Sequence, residues 1–299
     1  MSCAAPLVRV GFSNVLVATD FSKSSEKAVR HGVAIAQHYG AEFYLTHVVS
    51  SLGFTLAGGE AIAMAEVAAL KDALRREKEL VENGALATVP HHLIVCQGEP
   101  WQELQEIVQR QKIDLIVLGT HGRTGLRKLV LGSVAEQIFR HASCPVLTVG
   151  PFATLNPPAS LHLRQVLYCT DLSPGSALGA QYAASIAKEH GAQLTCLHVV
   201  EPGRKQVPDW DRVLSELEQE MRLQLPAEPK PQQAPNCKVE MGPVVETILE
   251  VADDLAADLI VMGLHAPHGL SEHLRWRHAY PMVCEARCPV LTVRSPRHS

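Results

Sequence analysis

Aromatic residues are scarce in this chain, and long blocks of like charge are missing. Phe, Trp and Tyr make up 5% of the 299 residues, whereas hydrophobic residues make up 46%. The cores must therefore be built from Ala, Val, Leu and Ile, which favours helices packed closely on a parallel sheet. The formal net charge is −4, so binding to nucleic acid or to an anionic membrane through bulk charge is not expected.

Membrane segments, leader sequences and zinc motifs are also missing from the sequence. No apolar stretch approaches the ~20 residues of a membrane helix, and the first residues resemble neither a secretory nor a transit peptide. The eight cysteines form no CxxC pair, so we interpret them as reduced core residues. These features together predict a cytoplasmic protein.

Two copies of one pattern follow each other along the chain. Residues 15–25 (VLVATDFSKSS) align with residues 166–176 (VLYCTDLSPGS), and CPVLTV occurs at 144–149 and again at 288–293. A long repeat that keeps its order indicates a duplicated domain rather than a solenoid. The sequence therefore predicts one domain at 1–150, a linker at 151–164 and a second domain at 165–299.

Within each copy, short apolar runs alternate with segments of helical periodicity. This alternation at short spacing indicates right-handed βαβ crossovers. We therefore predict an α/β fold made of two copies of a five-stranded, parallel-sheet, Rossmann-like domain. In the first copy the predicted strands are 14–19, 43–49, 92–97, 113–119 and 145–149, and the predicted helices are 22–39, 61–81, 101–111 and 133–141. In the second copy, the proline-rich stretch 226–235 predicts a mobile loop.

Three segments of the first copy should meet beyond the carboxyl ends of the strands, where open α/β sheets bind ligands. They are Thr19-Asp20, Val48 and the stretch from Gly119 to Ser133. Glycines let backbone N–H groups approach an anion, and a helix that begins at Ser133 favours negative charge at its N-terminus. Asp20 suits hydrogen bonds from ribose hydroxyls or from an adenine amino group. On the residues alone, nucleotide binding and ordinary cap or turn roles both stay open.

The spacing Gly119-x2-Gly122-x9-Gly132-Ser133 resembles the G-2x-G-9x-G(S/T) signature of ATP-binding universal stress proteins, and both copies resemble that family along their length. The resemblance implies an adenine-nucleotide α-hydrolase-like fold and a site for ATP with Mg²⁺ in the first copy. It implies a stress-response or signalling protein rather than an enzyme, without catalytic residues or protein metal ligands. The binding residues that it implies are Thr19, Asp20, Val48, Leu118, Gly119, His121, Gly122, Arg123, Gly132, Ser133 and Val134.

The second copy departs from this signature at its phosphate end. Asp171 and Val199 remain at the nucleoside end, but Ala266 stands at the second glycine and Trp276-Arg277 at the Gly-Ser position. A tryptophan at a helix N-terminus would fill the volume that phosphate needs. We therefore predict that this copy binds no triphosphate and keeps room only for a small nucleoside-like ligand, acting as a structural or regulatory partner domain.

Two other functions stay open as alternatives. One is a protein-interaction module of the stress response that binds no nucleotide, with an unknown protein partner. The other is a slow ATP hydrolase, which ranks last because no placed base or water-orienting group is found. We interpret His121 as a hydrogen-bond donor near phosphate rather than as a base.

The family resemblance also implies how the two copies associate. In this family the fifth strands of two domains pair across a two-fold axis, so we expect CPVLTV of one copy to pair with CPVLTV of the other within this chain. Dimerisation of whole chains stays open. Cys144 and Cys288 begin these segments, and we interpret both as structural residues.

Overall fold

The computed structural model describes residues 10–50, 59–120, 132–153, 161–201, 209–226, 233–264 and 272–294. Contacts divide the chain into an N-terminal unit, Gly11–Leu161, and a C-terminal unit, which is His162–Ser299 together with Met1–Val10. Val10 is buried in the C-terminal unit, where its N–H donates to Ser185 Oγ at 2.8 Å.

The N-terminal unit alternates strands and helices along its whole length, as the periodicity predicts. Every predicted element of this unit is present, and the bounds agree to within two residues. The elements are β1 (Asn14–Ala18), α1 (Lys23–Tyr39), β2 (Glu42–Ser50), α2 (Gly59–Glu82), β3 (His91–Gly98), α3 (Pro100–Arg110), β4 (Leu115–Gly119), α4 (Ser133–His141) and β5 (Val146–Val149).

The C-terminal unit repeats this order of elements, which confirms the predicted duplication of an α/β fold. Its α8 contains Pro281, a residue without an N–H to donate to the helix. The elements are β6 (Gln165–Cys169), α5 (Ala177–His190), β7 (Gln193–Val200), α6 (Trp210–Gln224), β8 (Asn236–Met241), α7 (Val244–Asp254), β9 (Leu259–Leu264), α8 (Glu272–Glu285) and β10 (Val290–Arg294).

The five strands of each unit run parallel and follow the same spatial order. That order is β3-β2-β1-β4-β5 in the N-terminal unit and β8-β7-β6-β9-β10 in the C-terminal unit. The chain reverses its direction of travel between β1 and β4, and again between β6 and β9. Such a reversal leaves a crevice at the carboxyl ends of the two central strands, where ligands bind in open α/β sheets.

The central strands are covered on both faces, which explains why they read as continuous apolar runs. Val15, Leu16 and Val17 of β1 have no exposed surface, as expected for a parallel sheet with helices on both sides. The chain after β5 is held against α1, because Lys27 Nζ donates to the carbonyls of Pro151 at 2.6 Å and Ala153 at 3.2 Å. Among the described helices, none is both long enough and apolar enough to cross a membrane.

Helix α1 shows how local sequence sets the ends of an element. Ser22 is the N-cap, and its hydroxyl accepts the N–H of Ser25 at 3.2 Å. Gly40 ends the helix at φ 65°, in the left-handed region that glycine adopts without steric cost. These ends fix the direction in which the chain leaves β1 and enters β2.

The structure predicts that the two units require different small residues at one equivalent position. A Cβ added at Gly179 in α5 would lie 2.7 Å from the backbone nitrogen of Gly263 in β9, whereas Ala28 occupies the equivalent position of α1. Gly179→Ala should lower the free energy of unfolding by about 1–3 kcal/mol, because the clash outweighs the better helix propensity. Urea unfolding measures this.

The matched control is Ala28→Gly, which should also destabilise the protein, by about 1 kcal/mol, through lost helix propensity. A Gly179→Ala variant as stable as the parent chain would contradict the close approach of α5 to β9.

Candidate functional site

The turn that follows β1 is held in place by its own side chains. Thr19 Oγ1 accepts the N–H of Phe21 at 2.9 Å and lies 3.0 Å from Ser25 Oγ, while Asp20 Oδ1 accepts the N–H of Ser22 at 3.0 Å. These bonds support Phe21 at φ 58°, a left-handed conformation that costs energy for a non-glycine residue. The turn thereby carries Asp20 to the crevice at the edge of the sheet.

His47 supports the same turn from the neighbouring strand. Its Nδ1 lies 2.8 Å from the carbonyl oxygen of Thr19, and its ring lies 5.0 Å from the ring of Phe21. In the C-terminal unit His198 Nδ1 lies 2.9 Å from the carbonyl oxygen of Thr170. Both histidines therefore hold the end of the central strand.

A cavity of about 280 Å³ opens beyond the carboxyl ends of β1, β2 and β4. Eight of the predicted site residues line it: Thr19, Asp20, Val48, Leu118, Gly119, Gly132, Ser133 and Val134. The other three, His121, Gly122 and Arg123, lie outside the described residues. The structure thus brings the three predicted segments together around one cavity, whose volume is close to the lower end of the range for ligand pockets.

The floor of the cavity is formed where three strands run side by side. Ala18 of β1 lies in register between Thr46 of β2 and Leu118 of β4, and all three line the cavity. Thr46 is 1% exposed, and its Oγ1 is buried without a hydrogen-bond partner among the described residues. Because a buried unpaired hydroxyl is costly, a polar ligand atom at this position would be favoured.

The N-terminus of α4 forms one wall of the cavity. Gly132 is the N-cap and makes no side-chain cap bond, while Ser133, Val134 and Ala135 line the cavity. The N–H of Gly132 donates to the carbonyl oxygen of Thr120 at 3.0 Å, which ties the helix start to the end of β4. The first backbone N–H groups of a helix have no partner inside the helix, so this wall favours an anionic ligand.

Comparison with known proteins identifies the family of the chain. The model of the universal stress protein family matches residues 11–150 and, a second time, residues 162–294. The chain belongs to the universal stress protein family. It is a tandem member, since both halves match.

Individual relatives are similar to one half of the chain or to its whole length. A universal stress protein of Methanocaldococcus jannaschii is 35% identical over 142 residues, covering 46% of this chain and 82% of that protein. The Bacillus subtilis universal stress protein YxiE is 32% identical over 146 residues, covering 46% of this chain and 99% of that protein. The crystal structure of a universal stress protein from Archaeoglobus fulgidus has a TM-score of 0.70 at 20% identity, covering 94% of this chain and 98% of that one. This last similarity shows the shared fold.

The C-terminal unit of this universal stress protein keeps the turn of the N-terminal unit almost unchanged. Thr170 Oγ1 lies 2.9 Å from Ser176 Oγ and accepts the N–H of Leu172 at 3.0 Å, and Leu172 has a φ of 61°. Asp171 Oδ1 accepts the N–H of Ser173 at 3.0 Å. Since both units keep these bonds, Asp20 and Asp171 each have a structural role in the turn.

The phosphate end differs because the helix begins at another place. Helix α8 begins at Glu272, whereas α4 begins at Ser133, whose counterpart in the repeat is Arg277. The prediction that Trp276 stands at a helix N-terminus is therefore wrong, because this position lies inside α8. Backbone N–H groups inside a helix are bonded to the preceding turn, so in the described part of the C-terminal unit no helix end lies at the position of Trp276 and Arg277. Ala266, which stands at the second glycine of the signature, lies outside the described residues.

Three positions of the cavity lining at the strand ends hold larger residues in the C-terminal unit, and two of them lose a hydroxyl. Leu197 stands at the position of Thr46 and Leu264 at that of Thr120, so both strand-end hydroxyls are lost. Cys169 replaces Ala18 and is 6% exposed. A small nucleoside-like ligand would therefore find fewer polar partners here than Asp171 and Val199 alone suggest.

The sequence did not single out Thr46, and it included Thr120 only within the segment from Gly119 to Ser133 and not among the binding residues. Threonine is common in strands for reasons of packing. A comparison of the two repeats could have identified them, because at these two positions the copy with the glycine signature has threonine and the other copy has leucine. Cys144 and Cys288 fit their structural interpretation, since burial raises the pKa of each thiol to about 12.

The repeated turn generates a prediction about stability. Thr19→Val keeps the side-chain shape but removes the hydroxyl that accepts from Phe21 and pairs with Ser25, so the free energy of unfolding should fall by about 1–3 kcal/mol. Thr170→Val should cost at least as much, because it removes the equivalent contacts and also the hydrogen bond that Thr170 Oγ1 donates to Gln224 Oε1 at 2.9 Å. Urea unfolding of both variants is the measurement, and no loss in either variant would contradict a structural role for this network.

Proposed function

We propose that this universal stress protein binds an adenine nucleotide, ATP with Mg²⁺, in the cavity of the N-terminal unit. The C-terminal unit then acts as a structural or regulatory partner within a stress-response protein. The observation that carries the proposal is the buried, unpaired hydroxyl of Thr46 in a cavity whose wall is a helix N-terminus. The unpaired hydroxyl of Thr46 favours a polar ligand atom, and the helix N-terminus favours a negatively charged one.

The strand-end part of the cavity suits a nucleoside. Val48, Leu104 and Leu118 supply apolar surface for a flat base, while Thr46 offers a hydroxyl that can donate or accept. Asp20 is the single charged side chain among the described lining residues, and its carboxylate suits ribose hydroxyls or an exocyclic amine. Ala18 is small, so it leaves space for the ligand between these side chains.

The α4 part of the cavity suits phosphate. Backbone N–H groups of the first helical turn and the hydroxyl of Ser133 are the donors that phosphate oxygens accept from. The family resemblance adds His121, Gly122 and Arg123, which remain predictions. Bound Mg²⁺ would neutralise phosphate charge, and it usually binds through phosphates, waters and one or two carboxylates. Asp20 is the described carboxylate within the cavity.

We propose binding rather than turnover as the role of this site. Phosphoryl transfer needs a group that positions or deprotonates the attacking water. The described lining contains no histidine or lysine, and the one carboxylate, Asp20, already accepts a backbone N–H in the turn.

The sharpest test of this function is Thr46→Val, measured by calorimetric titration with ATP and Mg²⁺. Removing one ligand hydrogen bond should weaken affinity about two- to tenfold. The same change should leave the unliganded protein as stable as before or more stable, because it removes an unpaired buried hydroxyl. A purely structural threonine would show a loss of stability instead.

Thr148→Val is the matched control. Thr148 is 1% exposed, and its Oγ1 is also buried and unpaired among the described residues. It lies in β5 beside Leu118 but does not line the cavity itself. Its affinity for ATP should equal that of the parent chain. Gly132→Trp, which copies the tryptophan of the second repeat, should weaken ATP binding at least about tenfold. Unchanged affinity in both Thr46→Val and Gly132→Trp would overturn the proposed site.

A further inference from the structure

Two cysteines face each other on neighbouring strands of the C-terminal unit. Cys196 of β7 and Cys237 of β8 are partners in the parallel register, so their side chains lie next to each other on the same face of the sheet. Cys196 has no exposed surface, and Cys237 is 7% exposed. The corresponding register pair in the N-terminal unit is Leu45 and Leu93. Apolar side chains fill this position in the N-terminal unit, so the fold does not require a pair of cysteines here.

The two sulfurs interact with each other. Cys196 and Cys237 share a side-chain hydrogen bond, which lowers the pKa of Cys237 and raises that of Cys196. Helix α6 packs on β8 and brings two charges near: Arg222 favours the Cys237 thiolate, and Glu218 opposes it, as burial does. Cys237 is thus the more readily deprotonated thiol of the pair, and Cys196 is the hydrogen-bond donor to it.

The other described thiols lack this activation. Burial raises the pKa of Cys96 and Cys284 to about 11 and that of Cys144 and Cys288 to about 12. Cys96 is more exposed than Cys237, and it faces the carboxylate of Glu103, which also disfavours its thiolate. Thiol oxidation depends on both thiolate character and access. Access alone would make Cys96 the first thiol to oxidise, whereas thiolate character would make Cys237 the first.

The spacing of the strands also allows a bond between the sulfurs. Neighbouring strands lie ~4.8 Å apart, which falls inside the range of about 4.4–6.8 Å between Cα atoms joined by a disulfide. The Cβ atoms of parallel neighbours lie somewhat farther apart than the usual ~3.8 Å, so β8 must move slightly. Since β8 ends the strand order of its unit, it has one strand neighbour there, and a strained disulfide is easily reduced again.

We propose that Cys237 and Cys196 form a reversible thiol-oxidation site that reacts with hydrogen peroxide. The Cys237 thiolate attacks one peroxide oxygen, the O–O bond breaks, and the other oxygen leaves as water after taking a proton from solvent. Cys237 is then a sulfenic acid. The sulfur of Cys196 attacks it, so the S–S bond forms, the S–O bond breaks, and the hydroxyl leaves as a second water with the proton of Cys196. Two electrons pass from the thiols to the peroxide, and a dithiol reductant reverses the change.

The test treats the reduced full-length protein with stoichiometric hydrogen peroxide, alkylates remaining thiols and digests without reductant. Trypsin releases Cys196 in residues 189–204 and Cys237 in residues 223–238, each with a single cysteine. Mass spectrometry should find these peptides joined and two hydrogens lighter than their sum. The Cys237 peptide should lose its free thiol about tenfold faster than the Cys96 peptide, because its thiolate fraction is higher.

Three variants separate the steps. In Cys196→Ser the Cys237 sulfenic acid should persist and react with dimedone, whereas Cys237→Ser should leave Cys196 reduced. Cys96→Ser is the control, and its yield of joined peptides should equal that of the parent chain. Oxidation of Cys96 before Cys237 in the parent chain would overturn the proposal without reference to any variant. So would an intact Cys237 thiol after peroxide treatment, or the absence of the joined peptides. The nucleotide site plays no part in this reaction, so either proposal can fail alone.

Discussion

In each unit, a threonine hydroxyl at the end of the first strand stabilises the turn on which the site depends. In the N-terminal unit Thr19 Oγ1 joins Phe21 and Ser25 into a tight left-handed turn, and Thr170 repeats these bonds in the C-terminal unit. The turn lies where the strand order reverses, so it decides which side chain reaches the crevice. The aspartate that follows, Asp20 or Asp171, is part of the turn. Its presence in both repeats is therefore explained by the fold and is not by itself evidence for a ligand.

What separates the two units is the start of one helix and the polarity of the strand ends. Helix α4 begins at the cavity wall, whereas α8 has already begun before the corresponding position. The hydroxyl of Thr46 is matched by the apolar side chain of Leu197. An anion needs the unpaired N–H groups of a helix end, and a buried polar ligand atom needs a partner. The N-terminal unit offers both, whereas among the described residues of the C-terminal unit neither feature stands at the corresponding position.

The sequence was informative where local pattern decides structure. Apolar runs, helical periodicity and Gly40 located the elements of the N-terminal unit to within two residues, and the repeat predicted the second unit. The sequence was not informative where strand register or the early start of α8 decides the structure. Ser271-Glu272, a serine followed by an acidic residue, is typical of a helix start, and the alignment of the two repeats did not reveal it. Cys196 and Cys237 are far apart in sequence, and only the pairing of β7 with β8 brings them together. The pairing of the fifth strands stays a prediction.

We propose that one unit of this tandem universal stress protein binds nucleotide and that the other does not. The decisive measurement is the number of ATP molecules bound per chain, obtained by equilibrium dialysis of the full-length protein with Mg²⁺ at saturating ATP. We expect one ATP per chain, lost in Gly132→Trp. Two ATP molecules per chain, or one that survives Gly132→Trp, would contradict the different roles assigned to α4 and α8.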